Sequence, residues 1–184
     1  MDYNLFNFIN SLVGKWLCLD SLAIFFAKYL IYYLVVGAIF VFFLVKTKKE
    51  KIRYLFLAGA SVILSRLFIT EAIRLIWYRP RPFVNHQVNL LIEHSASGSF
   101  PSGHIAFLFA LSAAIYLFGK KICSQDSRKI LSNISIVFFV LSFLVGLSRI
   151  FVGLHYPLDI FGGIVVGFFS TWIIFLGFSR RFVS

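Results

Sequence analysis

Three side chains late in the sequence have the types and the spacing that phosphate chemistry requires. His155 and Asp159 lie four residues apart, with Pro157 between them. Because proline is favoured in the first turn of a helix, a helix is predicted to begin there, with His155 and Asp159 on nearly one face. An aspartate that accepts the Nδ1 proton of a histidine leaves the Nε2 lone pair free for nucleophilic or basic chemistry. Arg149 adds a permanent cation that suits a phosphate anion.

Composition indicates that these groups lie in a membrane protein. The chain has 184 residues, of which 60% are hydrophobic and 14% are charged, whereas soluble domains are about 45–50% apolar and about 25% charged. The net charge of +11 would fit a nucleic-acid partner, but the basic residues concentrate in short segments between apolar runs. That pattern is typical of cytoplasmic loops. We therefore predict that the partners are membrane lipids and that no nucleic acid is bound.

Apolar runs of spanning length predict the architecture. A membrane-spanning helix needs about 20 mainly apolar residues, and runs close to that length occur five times. We predict an all-α polytopic membrane bundle of six helices that forms a single domain over residues 1–184. It consists of an N-terminal interfacial helix within residues 3–18 and spans over residues 22–45, 54–77, 103–119, 130–150 and 158–178.

The basic segments predict which side of the membrane each loop faces. Residues 46–53, 120–129 and 180–181 carry the clusters of Lys and Arg, and five spans place all three on one side, the cytoplasmic one. The loop 78–102 and the junction 150–157 then share the opposite rim. Cys18 and Cys123 are predicted to lie on opposite sides of the membrane and to be free.

Three clusters converge on that rim. They are Arg74, six residues, Arg81-Pro82; then Pro101-Ser102-Gly103-His104; then Ser148-Arg149, five residues, His155, three residues, Asp159. Together, and in this order, they resemble the motifs of the phosphatidic acid phosphatase type 2 superfamily of lipid phosphatases. The chain departs from the family pattern at Arg74, where the family has lysine, so the cation remains but its geometry changes.

The resemblance implies a role for each matching position. His155 is expected to be the nucleophile that forms a phosphohistidine, Asp159 to orient it, and His104 to act as the general acid. The phosphate cradle is expected to consist of Arg74, Arg81, Ser102, the Gly103 amide and Arg149. No metal or other cofactor is predicted, because the loops offer only Glu93 as a further carboxylate.

Within the superfamily, the sequence resembles the bacterial undecaprenyl pyrophosphate phosphatases. The resemblance lies in the stretches Arg79-Pro80-Arg81-Pro82-Phe83 and Ser99-Phe100-Pro101-Ser102, although many members have Asp where this chain has Gly103. It implies dephosphorylation of undecaprenyl pyrophosphate during cell-wall biogenesis, at the extracytoplasmic side of the bacterial inner membrane. The alternative substrates are phosphatidate, phosphatidylglycerophosphate and lipid A. An anion or phosphate transporter is a weaker alternative, because an arginine ring would not need the histidines.

Several charged residues lie outside the motifs. Arg79 is predicted either to contact the second phosphate of a diphosphate or to be an interfacial anchor. Arg66 is predicted to lie too deep for phosphate contact. Glu71 can pair with Arg74 three residues away, or tune the site from behind it. His86 and His94 match no motif position and are expected to be solvated.

Overall fold

The computed structural model describes residues 1–182, except the side chains of Asp126 and of residues 178–182. Every regular element in that part of the chain is a helix. The helices are α1 (Asp2–Asn10), α2 (Leu17–Leu44), α3 (Lys48–Ile76), α4 (Pro82–Asn85), α5 (Gly103–Ile122), α6 (Gln125–Phe151) and α7 (Pro157–Phe182). The helices α2, α3, α5, α6 and α7 contain segments long and apolar enough to cross a membrane, which confirms the five predicted spans.

Local backbone chemistry moves several predicted boundaries. The N-terminal helix ends at Asn10, because the chain turns at Gly14, whose positive φ of 81° favours glycine. The Asp20 carboxylate accepts from the Gly14 amide and holds this turn. At the other end of α2, Thr47 caps α3 by accepting from the Glu50 amide, so α3 begins within the basic segment that was predicted to be a loop. The four-residue helix α4 was not predicted and raises the number of helices above six.

The central helix of the bundle is α5. Its residues are buried on nearly all sides, and it packs most extensively against α7 and then α6. Two glycines allow the close approach of α7, since a Cβ at Gly163 would lie 2.7 Å from the Ser102 carbonyl oxygen and one at Gly167 would lie 2.8 Å from the Ala106 carbonyl oxygen. This packing brings the start of α5 against the start of α7, where the Ser102 amide donates to the Asp159 carbonyl at 2.9 Å.

The two ends of the bundle differ as predicted. The Ser124 amide donates to the Glu50 carboxylate at 2.8 Å, so the basic segments 46–53 and 120–129 meet at one end. The loop between α3 and α5 and the junction between α6 and α7 meet at the other, which we call the catalytic rim. Both cysteines are free, Cys18 being exposed and Cys123 buried. The predicted basic pair Arg180-Arg181 lies outside the described side chains.

Substitution of Gly167 by alanine should destabilise the protein, because the new methyl group would meet backbone atoms of α5 that cannot move aside. We expect a loss of about 1–3 kcal/mol, as for other overpacked interiors, measured as a lower midpoint of thermal unfolding in detergent. Gly177→Ala is the matched control in the same helix, since no atom lies within 4 Å of its Cβ position. Equal midpoints for the two variants would contradict the close packing of α5 and α7.

Candidate active site

The junction between α6 and α7 places His155 beside Asp159. Helix α6 ends at Phe151, Gly153 reverses the chain with φ of 90°, and α7 begins at Pro157 as predicted. His155 Nδ1 lies 3.3 Å from Asp159 Oδ2. Both side chains are buried, at 1% and 0% exposure. The predicted pairing of the two residues is therefore present in the structure.

The Asp159 carboxylate has three further donors. The Tyr156 amide donates to Oδ2 at 2.8 Å, the Ser99 hydroxyl donates to the same oxygen, and Arg79 Nη1 donates to Oδ1 at 2.8 Å. A buried carboxylate is stable only when such donors replace water. Asp159 is thus fixed from both sides, and its orientation fixes the plane of the His155 ring.

Arg81 identifies the tautomer of His155. Arg81 Nη1 lies 3.2 Å from His155 Nε2, and a guanidinium can only donate. The Nε2 atom must therefore hold the lone pair, and the proton sits on Nδ1, toward Asp159. This assignment follows from the hydrogen-bond network, and it leaves His155 with the electron pair that a nucleophile uses.

The surroundings favour the neutral form of His155. Burial comes first, and then the cations of Arg149, Arg81 and Arg74; together they hold the pKa of His155 well below 6.5. Burial and the neighbouring Arg74 also lower the pKa of Arg81 to about 10, which still leaves its guanidinium charged at neutral pH. At neutral pH the site consists of a neutral imidazole facing fixed cations.

Several buried donors around His155 lack a partner among the described residues. They are Nε and Nη2 of Arg149, Nε of Arg74 and the hydroxyl of Ser102. Arg149 itself is held in place by one bond, from Nη1 to the Ala27 carbonyl at 3.0 Å, within the π-helical turn Phe25–Tyr29 of α2. An anion can accept hydrogen bonds from all of these donors without breaking an existing one.

A small cavity adjoins Arg149. It has a volume of about 140 Å³ and is lined by Arg149, His104, His94, Lys28 and five other residues, chiefly of α2 and the loop before α5. His104 is partly buried in the first turn of α5, next to Gly103. The amides at the start of a helix lack partners and favour an anion, so the first turn of α5 adds to the positive potential. The cavity is thus lined by His104 of the second motif and Arg149 of the third, while Arg81 of the first motif contacts His155.

The Arg66 side chain lies closer to the catalytic rim than its sequence position predicts. Its Nε would be 2.8 Å from a Cβ at Gly103, so the guanidinium lies against the first turn of α5. Glu71 accepts from both Arg66 and Arg74, and Arg74 also donates to the Pro101 carbonyl at 3.0 Å. The depth predicted for Arg66 was wrong because an arginine side chain extends along its helix. Glu71 is a shared partner of two arginines, which includes the predicted pairing with Arg74.

Arg79 is paired with a carboxylate through each Nη atom. Nη1 donates to Asp159 at 2.8 Å and Nη2 to Asp2 at 2.5 Å, and the guanidinium lies over the Tyr156 ring at 4.2 Å. These bonds use two of its five N–H donors. Contact with a second phosphate and anchoring in the interface both stay predictions for Arg79.

Sequence reasoning missed four residues that shape the site. Ser99 donates to Asp159, and Asp2 accepts from Arg79. Ser97 accepts from Arg81, and His94 lines the cavity instead of being fully solvated. None belongs to a spaced motif, and Asp2 is 157 positions from Asp159, so no local pattern could identify them. His86 is exposed, as expected, and packs on the Tyr3 ring.

Comparison with known proteins agrees with this fold. The sequence matches the PAP2 superfamily over residues 28–182, so the chain belongs to that superfamily and is a membrane lipid phosphatase, a hydrolase. It is 36% identical to "Undecaprenyl-diphosphatase BcrC" of Bacillus subtilis (strain 168), over 95% of this chain and 83% of that protein. The family resemblance of the three motifs is thereby confirmed.

Two solved structures have the same fold. The crystal structure of Aquifex aeolicus LpxE has a TM-score of 0.72 and 27% identity, covering 95% of this chain and 94% of that one. The PAP2-type phosphatidylglycerolphosphate phosphatase of Bacillus subtilis has a TM-score of 0.65 and 21% identity, covering 98% and 87%. At the latter identity the likeness concerns the fold alone.

We predict that His155 of the free enzyme remains neutral, with its proton on Nδ1, when the pH is lowered through 6.5, because its pKa is well below that value. Isotope-labelled histidine NMR in detergent measures this directly. The nitrogen shifts of His155 are assigned by their loss in His155→Gln. Imidazolium shifts for His155 at pH 6.5 would contradict both the lowered pKa and the tautomer.

Proposed function

We propose that the enzyme cleaves a lipid diphosphate through a phosphohistidine on His155, without a metal. The observation that carries this proposal is the set of unpartnered buried donors of Arg149, Arg74 and Ser102 together with the unprotonated Nε2 of His155, which accepts from Arg81. Phosphoryl transfer requires mainly positioning and stabilisation of the charge on three equatorial oxygens. Fixed guanidinium groups, a hydroxyl and helix N-terminal amides supply both.

The first step transfers the terminal phosphoryl group to His155. The Nε2 lone pair forms the new P–N bond, the bond between phosphorus and the leaving oxygen breaks, and its electrons remain on that oxygen. His104, which takes up a proton once the negative charge of the substrate is bound, donates that proton to the leaving oxygen, and Asp159 stabilises the positive charge that develops on His155. The lipid leaves with one phosphate fewer.

The second step releases inorganic phosphate. His104, now neutral, takes a proton from water, and the water oxygen attacks phosphorus. The P–N bond breaks and its electrons return to Nε2. The Nδ1 proton stays between His155 and Asp159 throughout, so the enzyme regains its starting state.

An apolar groove next to the cavity supports a substrate with a long lipid tail. In α2, Ile31 and Tyr32 line the cavity and Val35, one turn further, lines the groove; in α5, His104 and Phe107 are related in the same way. The groove has a volume of about 430 Å³ and lies between α2, α3 and α5. Ile31 at the cavity and Phe42 in the groove lie about 16 Å apart along α2, at about 1.5 Å per residue. The groove thus leads the tail away from the rim toward the basic end of the bundle.

We assign undecaprenyl diphosphate as the substrate. The supporting observations are this long groove, the sequence stretches before α4 and α5, and the likeness to BcrC of Bacillus subtilis. The alternatives are phosphatidate, phosphatidylglycerophosphate and lipid A. Phosphatidylglycerophosphate is the substrate in the name of the Bacillus subtilis phosphatase that has the same fold. We place the protein in the bacterial inner membrane with the catalytic rim outside, because both described basic segments lie at the opposite end.

Trapping of the covalent intermediate tests the mechanism. Enzyme quenched during turnover of radiolabelled lipid diphosphate should carry acid-labile label, also in excess chelator, and His155→Ala should carry none. Asp159→Asn should slow formation of the labelled enzyme about 10²–10⁴-fold, because the wrong tautomer is favoured. Normal labelling of His155→Ala would place the nucleophile elsewhere.

Filling the groove tests the tail-binding role and the substrate class. The Cβ position of Gly59 has no atom within 4 Å and Gly59 lines the groove, so Gly59→Phe should add a ring to the groove. The ring is expected to displace about two methylene groups of the lipid tail from the groove. At about 0.8 kcal/mol each, this lowers kcat/KM on undecaprenyl diphosphate about tenfold.

A short-chain prenyl diphosphate should be cleaved equally by Gly59→Phe and the wild type, and Gly177→Phe, outside the groove, serves as the matched control. An equal loss on both chain lengths would remove the groove from the binding path. A higher wild-type kcat/KM on phosphatidylglycerophosphate than on undecaprenyl diphosphate would favour the alternative function.

A further inference from the structure

We propose that Asp2, in the N-terminal helix, is a positioning residue for phosphoryl transfer and acts on Asp159 through Arg79 and the first turn of α7. The proposal rests on the roles assigned above to His155 and Asp159. Asp2 itself contacts neither the cavity nor His155. Its carboxylate instead joins two groups that hold the catalytic carboxylate in place.

Arg79 is the cationic partner of a fully buried carboxylate. Its Nη1 donates to Asp159 Oδ1 at 2.8 Å, while the hydrogen bonds from Ser99 and Tyr156 converge on Oδ2. Arg79 is therefore the only described side chain bonded to Oδ1. An ionised carboxylate in such a place depends on its cation, so the position of Arg79 decides how firmly Asp159 faces His155.

Asp2 holds Arg79 and α7 together. Its Oδ2 accepts from Arg79 Nη2 at 2.5 Å, and its Oδ1 accepts from the Leu158 amide at 3.0 Å. That amide belongs to the first turn of α7, where an amide has no intrahelical partner and a negative charge is favoured. One carboxylate thus connects the cation of Asp159 to the helix that carries Asp159. The Asp2 side chain is only 15% exposed and that of Arg79 21%, so their ion pair is partly shielded from water, whereas the bond from the Leu158 amide is exposed.

Helix α1 is docked firmly enough to hold Asp2 there. Phe6 is fully buried and packs edge-on against Tyr156, with ring centroids 5.5 Å apart. At the end of α1, the buried Asn10 side chain donates to the Phe151 and Asn89 carbonyls at 2.8 and 2.9 Å and accepts from the Asn89 amide. Helix α1 is therefore attached to the end of α6, to the loop before α5 and to the start of α7, the segments that surround Asp159.

These contacts give the N-terminal helix a role in the reaction besides any role in the membrane interface. Without Asp2, Arg79 loses one of its two carboxylate partners and can rotate away from Asp159. His155 then loses its fixed orientation, although every group that touches the substrate is still present. The expected effect is on the rate of the chemical step, and substrate binding should be unaffected.

Kinetics of Asp2→Asn test the proposal on the full-length enzyme in detergent with a lipid diphosphate. We expect kcat to fall about 10–100-fold, as for other residues that orient a catalytic group from behind, with KM within about twofold of the wild type. Rapid quenching should show the same slowing in formation of labelled enzyme. Glu93→Gln is the matched control, because it removes the same charge from an exposed position on the same rim. Asp2→Glu, which keeps the carboxylate, should recover part of the rate.

A double-mutant cycle separates positioning from general loss of structure. If Asp2 acts through Arg79, then Asp2→Asn should cause little further loss in an Arg79→Gln background, and the two losses should not multiply. If Arg79 acts only on Asp159, Arg79→Gln should also reduce cleavage of a diphosphate and a monophosphate equally. Should Asp2→Asn not fold, Arg79→Lys, which keeps the charge but not the two-armed bridge, should show the same fall in kcat.

The results that overturn the proposal are distinct from those that overturn the mechanism. Unchanged kcat in Asp2→Asn, or losses that multiply in the double mutant, would show that Asp2 does not act through Arg79. A selective loss on diphosphates in Arg79→Gln would return Arg79 to the substrate. Full activity of Asp159→Asn would instead contradict the role of Asp159, and with it the proposed function.

Discussion

The fully buried carboxylate of Asp159 is the constraint on which the catalytic rim depends. A buried carboxylate destabilises the fold unless donors replace the water that it has lost. Here the donors come from separate parts of the chain, namely Arg79 after α3, Ser99 before α5, and His155 and Tyr156 at the start of α7. The loop between α3 and α5 must therefore fold across the start of α7, and that fold brings the phosphate-binding motifs to His155.

The same rim concentrates cations that repel one another. Arg149 is almost fully buried, and burial together with Arg74 lowers the pKa of Arg81. Such groups lower the stability of the free enzyme, because their charges are only partly balanced there. In the proposed mechanism, a bound phosphoryl group supplies the missing negative charge. The donors would already be in position, so little reorganisation would be needed during the reaction, which is the physical basis of electrostatic catalysis.

The second requirement is access for a lipid, and α2 provides it. The Ala27 carbonyl in its π-helical turn accepts from Arg149, while the next turns of the same helix form a wall of the apolar groove. In the proposed mechanism, one helix would thus position a phosphate-binding arginine and guide the tail. The polar headgroup and the apolar chain would remain in their preferred surroundings while phosphorus reaches His155.

The sequence by itself determined the five spans, the placement of two basic segments at one end of the bundle and the three motifs, because hydropathy, charge and short-range spacing are local properties. It also predicted the pairing of His155 with Asp159, four residues apart on adjoining turns. Only the tertiary structure decided the partners of Arg79, the reach of Arg66 and the contribution of Asp2. Those depend on which side chains from distant segments meet around a buried charge, and long, flexible side chains leave no periodic signal in the sequence.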